Sequence, residues 1–507
     1  MDLPYLIRRA TRFFPDAPLV SDGRSSLTLA EAVDRGERLA NSFDSIGVSP
    51  AGKVGILMEN RTDYVQADLG IALGRRVRTA LNARMLIDDF RYMVEDAGIE
   101  ALIHSASFSE NAAVLAEEFG LVPISVDDED SPGPKLQDLI DSHSAEPGSV
   151  SGHDEDPAWI TYTSGTTGQP KGVVLSHRSI REVAYNLLLE LGPVRPGEKI
   201  VLPQPLSHGA GYFLLPYLIS GGGVHVMSRF DAEEALEIGR DPRLKSLKVV
   251  PAMMPDLLEA AGGRALDYET LIYGAAPIAP PVLEASLDQF GPVLVQIYGQ
   301  SEAPVTLTCL HKRDHLGAGE ERFSAGRAWR STQIEIQNPG GEPVPTGEIG
   351  EVVVSGTHLM SGYLGKQEAT DAVFVDGKVR TRDVARIDEQ GFIYLLGRSD
   401  EMINSGGFNI SPREVEKVIG EIPEIEEVVV VGVEDEHWGN MVSAVIRTSD
   451  GVSLDSAKVI DYARPKLGFR SPKLVLEVDE VPKTGNGKVD VKALQTMVTK
   501  HKIKEES

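Results

Sequence analysis

Apolar and polar positions alternate between two periods over about the first 300 residues of the chain. Ile87, Phe90, Met93 and Val94 keep helical spacing, and Gly98 follows as a helix stop. Strands separated by such helices form parallel sheets that are covered on both faces. Short apolar runs predict these strands at residues 54–58, 101–104, 200–202, 224–227, 247–250, 271–273 and 293–298.

The pattern changes after residue 320, where short strands lie between Gly and Pro turns, at 333–337, 350–355 and 392–396. From residue 400 a mixed pattern follows, in which Ser411 and Glu414 form a capping box around Pro412. Strands are predicted at 428–433, 443–447 and 474–478. We therefore predict an α/β fold: a large N-terminal domain of two α/β sheet subdomains plus a small β-barrel-like subdomain, and a small α+β C-terminal domain.

Composition narrows the class of protein. The 507 residues contain 41% apolar and 25% charged side chains, which is typical of a globular protein. The net charge of −26 disfavours nucleic acid and anionic membranes as partners. Cys309 is the single cysteine, so no intrachain disulfide forms, and this fits the reducing cytoplasm. The sequence shows neither a secretory signal nor a run that predicts an integral membrane protein.

The strongest chemical signal is the stretch 161–172, which reads TYTSGTTGQPKG. Glycines let backbone N–H groups approach a ligand, and the hydroxyls and Lys171 add donors, so the stretch suits a polyphosphate. It is neither a Walker A loop nor a dinucleotide fingerprint. Dense Gly, Ser and Thr also occur in flexible linkers, but the apolar strand before the loop and Lys171 favour phosphate binding.

This stretch resembles the phosphate-binding loop of the adenylate-forming superfamily, which comprises acyl- and aryl-CoA synthetases, amino-acid adenylation domains and beetle luciferases. Further motifs of that superfamily follow in the same order, at residues 298–302 (YGQSE), 381–383 (TRD), 397–400 (GRSD), 405–412 (SGGFNISP) and 482–488 (PKTGNGK). The resemblance covers nearly the whole chain. It implies an N-terminal domain of residues 1–399 and a mobile C-terminal lid of residues 400–507 with its hinge at Asp400.

The resemblance also implies roles for single residues. Glu302 would bind the Mg²⁺ of ATP and act as a catalytic residue, and Lys488 would lie between the carboxylate and the α-phosphate. Arg382 departs from the family pattern, in which Gly is commonest. The implied nucleotide-binding residues are Thr163, Ser164, Gly165, Thr166, Thr167, Gly168, Lys171, Tyr298, Gly299, Gln300, Ser301, Asp383 and Arg398.

The implied acyl pocket and thiol tunnel complete the predicted site. His208 would gate the acyl channel as a catalytic residue, and Gly406 and Gly407 would line the CoA tunnel. Residues 204–211 contain no acid, which counts against an amino-acid substrate and favours a neutral or apolar carboxylic acid. One wall of the acyl pocket would be formed by Gly274, Ala275, Ala276 and Pro277.

The resemblance therefore implies a ligase that uses ATP, Mg²⁺ and CoA. It would convert an aryl or medium-size carboxylic acid into an acyl-adenylate and transfer the acyl group to CoA. Three alternatives stay open: a ligase that loads the pantetheine thiol of a carrier protein, an enzyme of one half-reaction only, and a nucleotide-binding regulatory protein without catalysis. A homodimer is a further expectation.

Overall fold

The computed structural model describes residues 1–127, 131, 133–148, 152–163, 170–317, 319–399, 402–405, 408–435, 438–449, 454–483 and 489–505. The predicted residues Ser164, Gly165, Thr166, Thr167 and Gly168 lie outside these ranges. So do the predicted hinge, tunnel and lysine positions, namely Asp400, Gly406, Gly407 and Lys488.

The strands follow the predicted apolar runs closely. In chain order they are β1 (Pro18–Ser21), β2 (Ser26–Thr28), β3 (Lys53–Leu57), β4 (Val77–Ala80), β5 (Ile99–His104), β6 (Val122–Ser125), β7 (Pro157–Thr163), β8 (Lys171–Ser176), β9 (Lys199–Leu202), β10 (Gly223–Val226), β11 (Leu244–Val249), β12 (Thr270–Gly274), β13 (Leu294–Tyr298), β14 (Thr308–Leu310), β15 (Arg327–Ala328), β16 (Gln333–Gln337), β17 (Gly350–Ser355), β18 (Gly362–Tyr363), β19 (Phe374–Val375), β20 (Lys378–Ile387), β21 (Ile393–Arg398), β22 (Ile403–Ser405), β23 (Phe408–Ile410), β24 (Ile425–Asp435), β25 (Gly439–Thr448) and β26 (Leu474–Glu477).

The helices alternate with these strands, as the helical spacing predicted. They are α1 (Leu3–Phe13), α2 (Leu29–Ser45), α3 (Thr62–Leu73), α4 (Ile87–Ala97), α5 (Ser109–Phe119), α6 (Leu136–Ser142), α7 (His177–Leu191), α8 (Leu214–Ile219), α9 (Ala232–Ile238), α10 (Met254–Ala261), α11 (Pro280–Phe290), α12 (Lys312–His315), α13 (Gln367–Asp371), α14 (Pro412–Ile419), α15 (Ser456–Leu467) and α16 (Val491–Glu505). Gly98 ends α4 in the left-handed conformation, with φ of 64°.

Two large sheets carry the first part of the chain. One has nine strands in the order β15-β14-β13-β12-β11-β9-β10-β1-β2, and the other has seven in the order β18-β8-β7-β4-β3-β5-β6. Their central strands are parallel, as predicted. At least one edge of each sheet is antiparallel, because β7 and β8 form an antiparallel hairpin and β13 pairs antiparallel with β14. A short connection can only join antiparallel neighbours, so the phosphate-loop region is a hairpin instead of a crossover.

Two smaller sheets follow. The first is a five-stranded sheet of order β16-β17-β20-β19, with β21 on β20, and it corresponds to the predicted β subdomain. The second has the order β23-β22-β25-β24, with β26 on β25. The α/β fold class is therefore confirmed. The predicted capping box is only half formed, because Ser411 accepts from the Glu414 backbone N–H while the Glu414 carboxylate pairs with Arg470.

The chain divides into two compact units. One comprises Met1–Ile334 and Val353–Thr381, and the other comprises Glu335–Val352 and Arg382–Ser507. The first unit contains apolar cores on both of its large sheets, and the second packs α14 and α15 on β24 and β25. The division between Thr381 and Arg382 lies before the predicted domain boundary. The boundary at Asp400 stays a prediction.

Candidate active site

The ends of the predicted phosphate loop meet across a β-ladder. Thr163 closes β7 and Lys171 opens β8, and the two residues are direct partners in the antiparallel register. The carbonyl of Pro170 accepts a hydrogen bond of 2.8 Å from the hydroxyl of Tyr92, which ties the loop's second end to α4. Both ends of the loop are thus held at one edge of the seven-stranded sheet.

Glu302 is joined to the same edge through Tyr363. The Tyr363 hydroxyl donates a hydrogen bond of 2.7 Å to Glu302 Oε1. The Nζ atom of Lys171 lies 5.1 Å from the centre of the Tyr363 ring, in cation–π contact. Tyr363 is placed there because β18 pairs with β8, opposite Val173. The structure therefore brings two predicted site residues, Lys171 and Glu302, together around an aromatic residue that the sequence analysis missed.

The segment before Glu302 is shaped by a close backbone approach. Tyr298 ends β13, and a Cβ atom on Gly299 would lie 2.5 Å from backbone atoms of Val305. Only glycine fits there without movement. The side-chain Nε2 of Gln300 is buried and has no hydrogen-bond partner among the described residues. An unpartnered buried donor beside Tyr298 fits a site for a heterocyclic base with acceptor nitrogens.

Gly274 lies directly beside this segment. It ends β12 and pairs with Ile297 of β13, and a Cβ atom on it would lie 2.2 Å from the Ile297 carbonyl oxygen. Ala275 has φ of 70°, a left-handed conformation that is uncommon for a residue with a side chain. Ala275, Ala276 and Pro277 are exposed. The predicted acyl wall is thus at the carboxyl ends of parallel strands, where open α/β sheets bind ligands.

His208 is also near these strand ends, on the segment that follows β9. Its ring is exposed, and Nδ1 lies 2.9 Å from the Ser207 hydroxyl. The segment is anchored from below by Arg78, which is buried and donates a hydrogen bond of 2.8 Å to the Leu206 carbonyl. This arrangement holds the backbone beside His208 while the side chain stays exposed.

Asp383 and Arg398 are brought together in the second unit. They are direct partners of β20 and β21, and Arg398 Nη1 lies 3.8 Å from Asp383 Oδ1. Arg382 has φ of 63°, its N–H donates to Glu351 over 3.1 Å, and its carbonyl accepts from Ser399 over 2.7 Å. The left-handed backbone explains why glycine is the commonest residue at this point of the motif.

A magnesium ion would find only part of its ligands in the protein. The described residues contain no cluster of three or more His, Cys, Asp or Glu side chains that could hold a metal. The single carboxylate of Glu302 fits an ion that arrives with ATP, because Mg²⁺ commonly takes one or two carboxylates and completes its shell with phosphates and waters.

Among the described helices, none combines the length and the apolar character that a bilayer crossing needs.

Comparisons with known proteins agree with this geometry. The AMP-binding enzyme family matches residues 7–364, and the AMP-binding enzyme C-terminal domain matches residues 414–488. The chain is 34% identical over 521 residues to a medium/long-chain-fatty-acid–CoA ligase, FadD8, of Mycobacterium tuberculosis, covering 97% of this chain and 89% of that protein. It is 34% identical over 491 residues to a feruloyl-CoA synthase of Amycolatopsis sp, covering 95% and 96%.

A solved structure shares the architecture. The amide bond synthetase McbA from Marinactinospora thermotolerans superposes with a TM-score of 0.89 at 27% identity, covering 98% of this chain and 100% of that one. The superfamily resemblance that the motifs predicted is thereby confirmed. The chain belongs to the family of AMP-binding enzymes, the adenylate-forming superfamily that includes the acyl- and aryl-CoA synthetases.

Proposed function

We propose that this enzyme is an ATP-dependent acyl-CoA ligase that activates an aryl or medium-size carboxylic acid. A carboxylate oxygen attacks the α-phosphorus of ATP, and pyrophosphate leaves with the electrons of the broken P–O bond. The CoA thiol, losing its proton, then attacks the acyl carbon of the adenylate, and AMP leaves. The observation that carries the proposal is the Glu302–Tyr363–Lys171 cluster at the mouth of the predicted phosphate loop.

The roles of the nucleotide residues follow from their chemistry. Glu302 supplies a hard oxygen to Mg²⁺, and Lys171 supplies a cation to the phosphates. Gln300 donates a hydrogen bond to the base, and Asp383 accepts hydrogen bonds from the ribose hydroxyls. Arg398 orients the carboxylate of Asp383. The remaining loop residues, from Thr163 to Gly168, present hydroxyls and backbone N–H groups to the phosphates.

Lys488 acts on the first step. Its ammonium offsets the repulsion between the anionic acid and the anionic α-phosphate, and this effect grows as charge develops in the transition state. We place Asp400 at the hinge of a lid that delivers this lysine and then presents Gly406 and Gly407 to the thiol. His208 and residues 274–277 border the acyl group. Support for a site at the strand ends comes from the pairing of Gly274 with Ile297.

The proposed function also depends on which molecule accepts the acyl group from the adenylate. CoA is the acceptor that the named ligase relatives suggest, while a carrier-protein pantetheine arm or an amine is an alternative. Incubating the enzyme with acid and ATP, and then with CoA, a holo-carrier protein or an amine, distinguishes the three acceptors by mass spectrometry of the products.

The single, buried Cys309 supports a cytoplasmic location.

A hydroxamate screen tests the proposal directly. Hydroxylamine traps acyl-adenylates, so aromatic, short, medium and long-chain acids are each incubated with ATP, Mg²⁺ and hydroxylamine. We expect ATP-dependent hydroxamate and pyrophosphate with aromatic or medium-size acids, and acyl-CoA when CoA replaces hydroxylamine. Adenylate without thioester would indicate a half-reaction enzyme. If none of the acids causes pyrophosphate release, the proposal is contradicted.

A further inference from the structure

A buried lysine lies at the carboxyl end of a central strand. Lys248 is the next-to-last residue of β11, which is hydrogen-bonded between β9 and β12 in the nine-stranded sheet. Only 4% of its surface is exposed. It was not among the predicted site residues, because a lysine inside an apolar run carries no motif. A buried ammonium is costly unless a partner offsets the lost hydration.

The partners of this lysine leave donors unused. Lys248 Nζ donates to the side-chain oxygen of Gln204, and it lies 5.6 Å from the centre of the Phe213 ring. No carboxylate of the described residues forms an ion pair with it within 4.0 Å. The Nε2 atom of Gln204, a residue that is 7% exposed, has no hydrogen-bond partner in the part of the chain that the structure describes. Burial lowers the pKa of Lys248 to about 7, since no negative charge opposes the loss of hydration.

The backbone around Gln204 is held by another side chain. Asn60 holds the backbone around Gln204, donating 2.7 Å to the Gln204 carbonyl and accepting 2.9 Å from the Leu206 N–H. The side chains of Lys248 and Gln204 therefore add a buried, incompletely hydrogen-bonded pair that is expected to reduce stability. Groups that break a packing rule in this way commonly serve a ligand.

The pair points at the proposed acyl pocket. A Cβ atom on Gly209 would lie 3.7 Å from Lys248 Nζ and 3.8 Å from a methyl group of Val305. Gly209 follows the predicted gating residue His208, and Val305 lies three positions after Glu302. Lys248 thus reaches the place where the His208 segment and the Glu302 loop approach each other.

We propose that Lys248 and Gln204 bind a second oxygen-bearing group on the substrate acid, at a distance from the carboxyl that is activated. An ammonium has three donors and a primary amide has two, so the pair offers several donors to one acceptor oxygen. The substrates are then hydroxy- or carboxy-substituted aryl or medium-size acids instead of plain hydrocarbon acids. This inference rests on the proposed function and departs from the predicted neutral or apolar substrate class, because the second group is polar.

Matched acids test the inference on the full-length enzyme. We would measure kcat/KM for acyl-CoA formation with cinnamic, 4-hydroxycinnamic and 4-carboxycinnamic acids, and with octanoic, 8-hydroxyoctanoic and octanedioic acids. Wild type should prefer at least one oxygen-bearing acid about tenfold or more over its unsubstituted parent. Comparing the hydroxy-substituted with the carboxy-substituted acids shows whether the pair binds a hydroxyl or a carboxyl group. A preference for both unsubstituted parents would overturn the inference.

Variants assign the preference to the pair. Lys248→Met keeps the length of the side chain and removes its charge, and it should lower kcat/KM for the preferred acid by about tenfold or more while the parent acid is used as well as before. Gln204→Leu should act in the same direction. Lys245→Met is the matched control, because Lys245 is on the same strand but pairs with Glu269 at the surface. An unchanged preference in Lys248→Met would overturn the inference.

Failure of this inference is distinguishable from failure of the proposed function. If acids are activated without any preference for the oxygen-bearing members, only the role of Lys248 and Gln204 is wrong. If no acid releases pyrophosphate, the proposed function itself is wrong. Should Lys248→Met not fold, the ratios of the wild type and of Gln204→Leu still decide.

Discussion

The Tyr363 hydroxyl donates a hydrogen bond to the Glu302 carboxylate over 2.7 Å, across 61 residues of sequence. The backbone supports the same contact, because the Met360 N–H donates to the Glu302 carbonyl over 2.9 Å. The segment from Met360 to Tyr363 thus contacts both the backbone and the carboxylate of the proposed magnesium ligand. A ligand held in one rotamer binds its ion with less loss of side-chain entropy.

Removing this hydroxyl should weaken the first half-reaction. For Tyr363→Phe we expect ATP–pyrophosphate exchange to fall by roughly 5- to 20-fold, with a higher Mg²⁺ concentration at half-maximal rate, because one hydrogen bond to a charged group is lost. The ring and its contact with Lys171 remain. Tyr5→Phe, an exposed tyrosine of α1, is the control. An unchanged magnesium dependence would show that the hydrogen bond does not position Glu302.

Lys488→Ala should separate the two half-reactions. We expect adenylate formation to fall by roughly 100- to 1,000-fold, as for other lost electrostatic donors, while thioester formation from a synthetic acyl-adenylate is largely retained. Lys483→Ala is the matched control in the same motif, since Lys483 is half-exposed and lies 3.4 Å from Glu427. Acyl-CoA synthesis from free acid at the parental rate would contradict the role of Lys488.

Arg382→Gly should stabilise the protein. The left-handed φ of 63° costs a residue with a side chain about 1–2 kcal/mol, and the greater freedom of glycine in the unfolded chain removes part of the gain. We expect a net increase of up to about 1 kcal/mol in the free energy of unfolding, measured by urea denaturation. Arg382→Ala removes the same side chain but keeps Cβ, so it should give no such increase. Equal stability of the two variants would mean that the side chain, and not the backbone, decides.

His358 should make the protein sensitive to acid. The ring is fully buried, and neither ring nitrogen has a hydrogen-bond partner among the residues that the structure describes. Burial together with the nearby Arg178 lowers the pKa of His358 to about 4. The unfolded state, with a histidine pKa near 6.5, then binds more protons between pH 6.5 and 4. His358 therefore does not lower the free energy of unfolding above pH 6.5. As the pH falls towards 4, protonation of the unfolded state lowers this free energy by roughly 2–3 kcal/mol.

His358→Leu tests this acid sensitivity. The variant should lose less stability between pH 7 and 4.5 than the parent does, as measured by denaturant unfolding at each pH. His153→Leu, at an exposed position, should leave the pH dependence unchanged. Parallel pH curves for the parent and His358→Leu would contradict the prediction.

Local features of this protein could be predicted from the sequence. Strands such as β16 and β17 were predicted to the residue, because apolar alternation and Gly or Pro turns act over a few neighbouring positions. The end of α4 at Gly98 was predicted for the same reason, and the structure adds its left-handed conformation. The ordered motifs also identified the superfamily, since each motif is a contiguous piece of backbone chemistry.

Contacts between distant residues were decided only by the tertiary structure. Tyr363 reaches Glu302 because β18 pairs with β8, and Lys248 reaches Gln204 across 44 residues because β11 lies beside β9. No spacing rule encodes such pairs, since they depend on the order of strands in a sheet. The sequence by itself therefore determined the superfamily and the class of fold. The packing of parallel strands decided which distant side chains meet, because burial and strand order are properties of the whole chain.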